Sequence, residues 1–574
     1  MVFANYSHYD LVMAISQKWS IQSGFEKWSS QFNLWAFMAV CVSGLVLTPI
    51  ICVFNAGSTN SVEVWQHLSS TVLPLYITNS LVLMVGVGFG VLVLGISTAW
   101  LVTMCRFPGD RWLEVLLLLP LAAPAYLLAY VYTEFLEYYG PVQGGLRQIF
   151  GWSSVADYWF PNIRSLAGAI ILLVLVLYPY VYLVVRVAFL EQSACSLEAS
   201  RSLGCNPWQS FWRVALPSAR PAIIAGLALA LMETLNDFGT VEFFGVQTFT
   251  TGIYRTWFGL GDQNAAAQLA MVLMLFILSL ILLELYSRKQ ARYFTASRSG
   301  NNYKSKYQLS GMRAAIAIFI CLIPIVLGFL LPVAILVQMV VEAGISIFDE
   351  SFWQVLINST VLAGITAGLG VVLAVILAYG KRLNPDNLLV GVPVRVSAMG
   401  YAIPGSVIAV GILVSMGSLD NAIDSWMREY FQISTGLLIS GTIAALVFAY
   451  LVRFLAVSFN TVEASLVKIK PHFDDAAHSL GSNSTDTLLK IHAPIMSGGL
   501  LTAVMLIFVD VMKELPATLV IRPFNFDTLA VRVYQYAADE RLIEAAAPAI
   551  AIVAMGVIPV ILLSWQIRKA SKIN

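Results

Sequence analysis

The chain has 574 residues, of which 59% are hydrophobic and only 11% charged, with a net charge of +1. Charged residues usually make up about a quarter of a soluble domain, so a soluble globular protein is excluded and a bilayer protein is indicated. The near-zero charge supplies no basic face of the kind nucleic acid needs.

Residues 1–32 carry scattered charges and aromatics, with no short apolar core before a small-residue cleavage site. No removable signal peptide is expected there, and the first span itself targets the membrane. Apolar runs of about 20 residues, enough to cross a hydrocarbon core, fall near 34–54, 79–104, 112–134, 165–190, 219–240 and 264–286. Six more fall near 314–341, 357–380, 391–415, 435–459, 496–515 and 543–566. Twelve spans put both termini on one side. Of the 33 Lys and Arg residues, 25 lie in segments assigned inside and 7 in those assigned outside, while Lys513 sits within a span. That bias predicts cytoplasmic termini. Between the halves, 288–313 carries seven basic residues and no acidic one, and reads as a cytosolic linker anchored near anionic lipid. It divides a first repeat, 1–287, from a second, 314–574. Six spans each make the two repeats parallel. The six cysteines stand singly, with no CxxC pair, and are expected to pack as small hydrophobes.

Two polar loops repeat at an offset of 277 residues. Glu198-Ala199-Ser200-Arg201-Ser202-Leu203-Gly204 is followed by Pro217, and Asp475-Ala476-Ala477-His478-Ser479-Leu480-Gly481 by Pro494. The pattern predicts two short helices meeting at a glycine, which tolerates the positive φ of such a corner, with proline opening the next span. The aromatics Trp208, Phe211 and Trp212 would fill a groove on a partner or lie at headgroup level. No Gly-x-x-x-x-Gly-Lys-Ser/Thr phosphate loop occurs, so ATP is not expected on this chain.

The same offset aligns Glu233 with Asp510 and Asp237 with Glu514. Carboxylates four residues apart share a helix face, and a carboxylate within a span is a functional candidate by default. Four converging at a pseudo-two-fold would suit a hard cation, which prefers oxygen ligands. Lys513, and Arg255 and Arg532 at the matched offset, leave an ion-pair scaffold open as the other reading. Segments 137–164, 241–262 and 516–541 are the longest outer loops, fit to receive a partner or to form interfacial belts. His472, His478 and His492 cluster by the second loop and are expected to be surface or docking residues rather than metal ligands.

The two loops resemble the EAA motif of ABC importer permeases: Glu198-Ala199-Ser200, Gly204, Val214 and Leu216-Pro217 in one copy, Asp475-Ala476-Ala477, Gly481, Ile491 and Ala493-Pro494 in the other. Asp475, Ser200 and Ala493 depart from the motif, so the two copies need not couple equally. The segment from Met232 to Arg255 is similar to that of the fused, twelve-span ferric-iron ABC permeases of bacteria. The resemblance implies an all-α polytopic fold of two parallel six-helix repeats, the type I importer fold. It implies a non-catalytic subunit of the bacterial cytoplasmic (inner) membrane that docks two ATPase subunits through Glu198, Ala199, Gly204, Pro217, Asp475, Ala476, Gly481 and Pro494. ATP and Mg would sit on those partners, with no cofactor on this chain. A periplasmic binding protein would deliver Fe3+, carried inward by alternating access, with Glu233, Asp237, Asp510 and Glu514 along the pathway. Thiamine and phosphonate permeases share the architecture. A secondary transporter driven by an ion gradient would also have twelve spans and intramembrane acids, but the duplicated loops argue against it.

Overall fold

The computed structural model describes residues 34–58, 62–191, 200, 202–291, 306–344 and 348–573. Among them, nine helices are long and apolar enough to cross a membrane, from Leu34–Gly57 to Leu542–Leu562. Three further crossings are bent pairs: Asp110–Ala122 with Ala125–Phe150 (89°), Pro207–Ser218 with Arg220–Asn236 (71°) and Ser484–Ile495 with Ser497–Met512 (79°). Each pair counted once gives twelve, and the fold is all-α and polytopic. Helices satisfy their own backbone polar groups, which hydrocarbon cannot do for them.

The bends have local causes. The third span, expected unbroken over 112–134, stops in a 3-10 turn at Leu119–Ala122 and restarts behind Pro124, whose backbone is extended. The ninth, expected over 391–415, is likewise corrected: a helix at Leu388–Ser397 ends, and Gly405–Phe431 begins behind an extended Pro404. Proline drives the residue before it out of the helical region, so each crossing breaks there. Three π-helical turns, Phe211–Ala215, Val326–Leu330 and Leu488–His492, all end two residues before a proline: Pro217, Pro332 and Pro494. Proline lacks the N–H for an ordinary turn and crowds the carbonyl four residues back. A widened turn relieves both.

The repeat is visible in the elements. Leu73–Met104 and Glu350–Leu383 begin 277 residues apart, as do Leu166–Glu191 and Ile443–Val467. Past the intramembrane acids the register slips, because the N-caps Thr248 and Thr528 are 280 apart. Arg255 and Arg532 are therefore not equivalent: each pairs within its own repeat, with Glu242 and Asp527 respectively.

By internal contacts the chain forms two compact units. The larger comprises Pro49–Ala367, Tyr401–Arg453 and Met505–Asn574. In it the second and fourth spans meet closely, and methyl groups at Gly86, Gly90 and Gly95 would run into Ile170, Val174 and Val181. Small residues let membrane helices approach in this way. Two basic residues counted with the inside loops, Arg186 and Arg453, lie instead in buried ion pairs with Glu114 and Glu514. The positive-inside bias survives their removal. The end of the linker is fixed too, since Tyr307–Gln308 pairs as a parallel strand with Cys105–Arg106 and Lys306 Nζ donates to the Val102 carbonyl at 3.0 Å.

The smaller unit comprises Met1–Thr48, Gly368–Gly400 and Phe454–Val504. Arg382 organises it, donating to the carbonyls of Leu466 (2.7 Å) and Ile469 (3.1 Å) and to Asp474 Oδ2 (2.6 Å). The Leu466 carbonyl is one of those that any helix end leaves to be satisfied, here the end of Ile443–Val467, and Ile469 lies in the turn just past it.

Candidate functional site: two polar loops and the intramembrane acids

The two loops have the same backbone course. Glu198 and Ala199 lie outside the described residues, but from Gly204 onward every feature recurs 277 positions later. Gly204 has φ 83° and Gly481 φ 79°, the left-handed corner expected of glycine. Asn206 and Asn483 each cap the next short helix, accepting from the amides of Gln209 (2.8 Å) and Asp486 (2.7 Å). The π turns follow, then Pro217 and Pro494, and then the sharp bends at Ala219 (φ −87°, ψ 0°) and Met496 (φ −94°, ψ 12°). Asp475 and Ala476 lie on the exposed helix His472–Ser479.

What the loops present differs from expectation in one residue and adds three. Phe211 is buried against Trp100, with ring centroids 5.0 Å apart, so it anchors the loop and leaves Trp208 and Trp212 outward. Leu203 and Leu480, equivalent by the offset, are 84% and 86% exposed. Trp212 and its equivalent Leu489 are also exposed. Large apolar groups are thus held out of contact on both polar loops, as at a protein or membrane contact surface. The signal was present as a leucine before the glycine in both copies.

Behind the loops the packing is unlike. The first rests on rings, with Trp100 also edge-on to Phe189 at 5.6 Å. The second rests on charge. His492 is fully buried and stands where the first repeat has Ala215; its Nε2 lies 3.0 Å from Asp474 Oδ1, the same carboxylate that Arg382 binds. The expectation that His492 is a surface residue is thus corrected, while His472 and His478 are exposed. Tyr379, whose hydroxyl donates to the Ser484 carbonyl at 2.7 Å, closes over the His492 ring at 5.7 Å.

The acids lie in the larger unit. Glu233 sits on Arg220–Asn236, about 18 Å along from Pro221 at 1.5 Å per residue. Asp237 is past the end of that helix, with an extended backbone, so the two do not share a helix face. Its carboxylate accepts from Thr240 Oγ1 (2.9 Å) and the Val241 amide (3.1 Å), holding the short helix Gly239–Phe243. In the second repeat, Asp510 pairs with Lys513 at 2.8 Å, and Glu514, again beyond the helix end, takes Arg453 at 2.6 Å and the Ala517 amide at 3.1 Å. A methyl at Gly405 would collide with that Arg453–Glu514 pair. Among the described residues, no three His, Cys, Asp or Glu side chains gather as metal ligands would, so the four acids do not form one cage.

The outer segments also separate. Segment 137–164 is open, with Tyr139, Trp159 and Ile149 exposed. Trp152 is stacked between Phe150 and Tyr158, and the amides of Ser154 and Ser153 hold the Asp157 carboxyl below the usual range. Segments 241–262 and 516–541 fold back as the helices Phe249–Phe258 and Leu529–Ala538, whose first residues are buried.

Residues 91–295 match the family described as binding-protein-dependent transport system inner membrane component. The chain is 28% identical over 541 residues to the Fe(3+)-transport system permease protein FbpB 2 of Haemophilus influenzae, covering 92% of this chain and 97% of that protein. It is 23% identical over 491 residues to the ferric transport system permease protein FbpB of Actinobacillus pleuropneumoniae, covering 81% and 67%. The molybdenum transport system permease protein ModB of Escherichia coli is 30% identical over 202 residues, 34% of this chain and 84% of that protein.

Proposed function

The chain belongs to the binding-protein-dependent transport system inner membrane components, and from that premise we propose that it is the permease of an ATP-driven importer of ferric iron. The observation that carries the energy-coupling half is the pair of glycine-cornered loops with matching torsions and outward Leu203 and Leu480. Two ATPase subunits dock there, at Glu198, Ala199, Gly204 and Pro217 and at Asp475, Ala476, Gly481 and Pro494. ATP and Mg belong to those subunits, and this chain hydrolyses nothing. It lies in the cytoplasmic (inner) membrane with both termini in the cytoplasm, as two parallel repeats, 1–287 and 314–574, joined by the basic linker 288–313. A periplasmic binding protein delivers the cargo to the outer segments, of which 137–164 is the most open. Rocking of the repeats then exposes the passage alternately to either side, past the acids of the fifth and eleventh crossings.

Ferric iron is favoured because the ferric relatives extend over most of the chain, whereas the molybdenum relative covers about a third of it. Carboxylates in the passage also suit a cation and repel an oxyanion. The test is uptake of radiolabelled ferric citrate by cells lacking other iron importers. Uptake is expected to require this chain and ATP hydrolysis, and to persist when the proton gradient is collapsed. Uptake of molybdate or sulfate in place of iron would overturn the cargo, and transport without an ATPase would overturn the class.

A further inference from the structure

The two repeats have diverged where their acids lie. In the second, both carboxylates have a cation at hand: Lys513 for Asp510 and Arg453 for Glu514. The equivalent positions in the first repeat, 277 residues earlier, hold Asn236 and Val176. The Asn236 amide oxygen is taken by the Gly405 amide at 2.9 Å. Asp237 is satisfied by Thr240 and Val241 alone. Among the described residues the Glu233 carboxylate has neither a hydrogen bond nor a close ion pair, although Lys513 and Arg453, each already held by an acid of the second repeat, lie within its field.

An ionisable group in a membrane helix is costly unless something compensates for it. Around Glu233 two phenols add to the field of those distant cations. The hydroxyls of Tyr180 and Tyr401 are 3.3 Å apart, and both feel the charges of Glu233 and Asp510, Tyr180 also that of Lys513. One step further along, the Tyr130 hydroxyl is buried, has no partner and lies within the field of Asp237. Glu233, Asp510 and Glu514 thus share two cations, and Glu233 is the acid of the three that no cation contacts. Neutral phenols and a free carboxylate attract a hard cation; the ion pairs opposite are already neutral.

We propose that Glu233, flanked by the hydroxyls of Tyr180 and Tyr401, is the group that contacts a hard trivalent cation in transit, and that Asp510–Lys513 and Glu514–Arg453 are positioning pairs that never bind it. The assignment rests on the ferric-importer reading above. It divides the four acids by role.

The test uses the full chain with its partner subunits in cells, ferric citrate as the probe, and two readouts: amount of chain in the membrane and uptake per chain. Glu233→Gln is expected to leave the amount unchanged and to lower uptake at least tenfold, with Glu233→Asp restoring part of it. Tyr180→Phe combined with Tyr401→Phe is expected to raise the KM for iron several-fold with little change in kcat. Asp510→Asn is expected to lower the amount by stranding Lys513, and adding Lys513→Met to restore it. In the purified chain in nanodiscs, ferric nitrilotriacetate is expected to give a visible phenolate-to-iron absorption, each coordinating phenol releasing its proton to solvent, that the double phenylalanine variant loses. Wild-type uptake by Glu233→Gln, or loss of the chain from the membrane in that variant as in Asp510→Asn, would overturn the assignment alone. If the unaltered chain imports no iron, the cargo reading fails and this assignment with it.

Discussion

Gly204 and Gly481 are single residues on which the geometry of both loops turns. Their neighbourhoods are open, so an added methyl meets no clash and the cost of Gly481→Ala is the positive φ itself, about 1–2 kcal/mol. That cost is expected to weaken ATPase retention up to about tenfold in co-purification, while Gly481→Asn, which tolerates the left-handed region, retains the partner nearly as well as wild type. The asparagine caps act on a smaller scale. Asn483→Ala removes the acceptor for the Asp486 amide and should cost about 1 kcal/mol, read as faster hydrogen exchange over Ser484–Thr487 with no change elsewhere. The glycines were legible in the sequence because a left-handed corner favours glycine over residues with a Cβ. The burial of His492 was not, since its partner Asp474 sits eighteen positions away and only folding brings them together.

At the scale of elements, hydropathy located the crossings because length and apolarity alone decide whether a helix spans a bilayer. The breaks at Pro124 and Pro404 were also written in the chain, but a window of twenty residues averages a proline away. The faces of the short helices were read less well. An aromatic such as Phe211 has the same composition whether it anchors a loop or faces a partner, and only the position of Trp100, over a hundred residues earlier, decides it. Leu203→Ser with Leu480→Ser is therefore expected to lower ATPase co-purification several-fold at an unchanged membrane level, whereas Phe211→Ala loosens the first loop itself. Asp474→Ala strips both Arg382 and His492 of their shared carboxylate. With that carboxylate largely shielded, the loss should be about 1–3 kcal/mol, measurable as faster trypsin cleavage at Lys468 and Lys490. Persistence of the wild-type cleavage rate would show that Arg382 holds the element through the carbonyls of Leu466 and Ile469 alone.

For the whole molecule, the sequence repeat and the compact units divide the chain differently, because the larger unit draws helices from both repeats. Gly556 of the last crossing packs on the Ala122 backbone, and Gly328 on Pro120 and the Leu175 carbonyl. Separate expression of 1–300 and 301–574 is accordingly expected to yield halves that co-purify in equal amounts, and recovery of either half alone at full yield would contradict it. The duplication was legible in the sequence; its divergence was visible only once Trp100 and Arg382 were seen behind their respective loops. On the proposed docking of an ATPase at each loop, that divergence bears on how the two motors are held. One loop is backed by rings and the other by charge, so rising salt should loosen the Arg382-backed loop first, leaving a half-loaded complex at intermediate ionic strength where a symmetric permease would lose both at once.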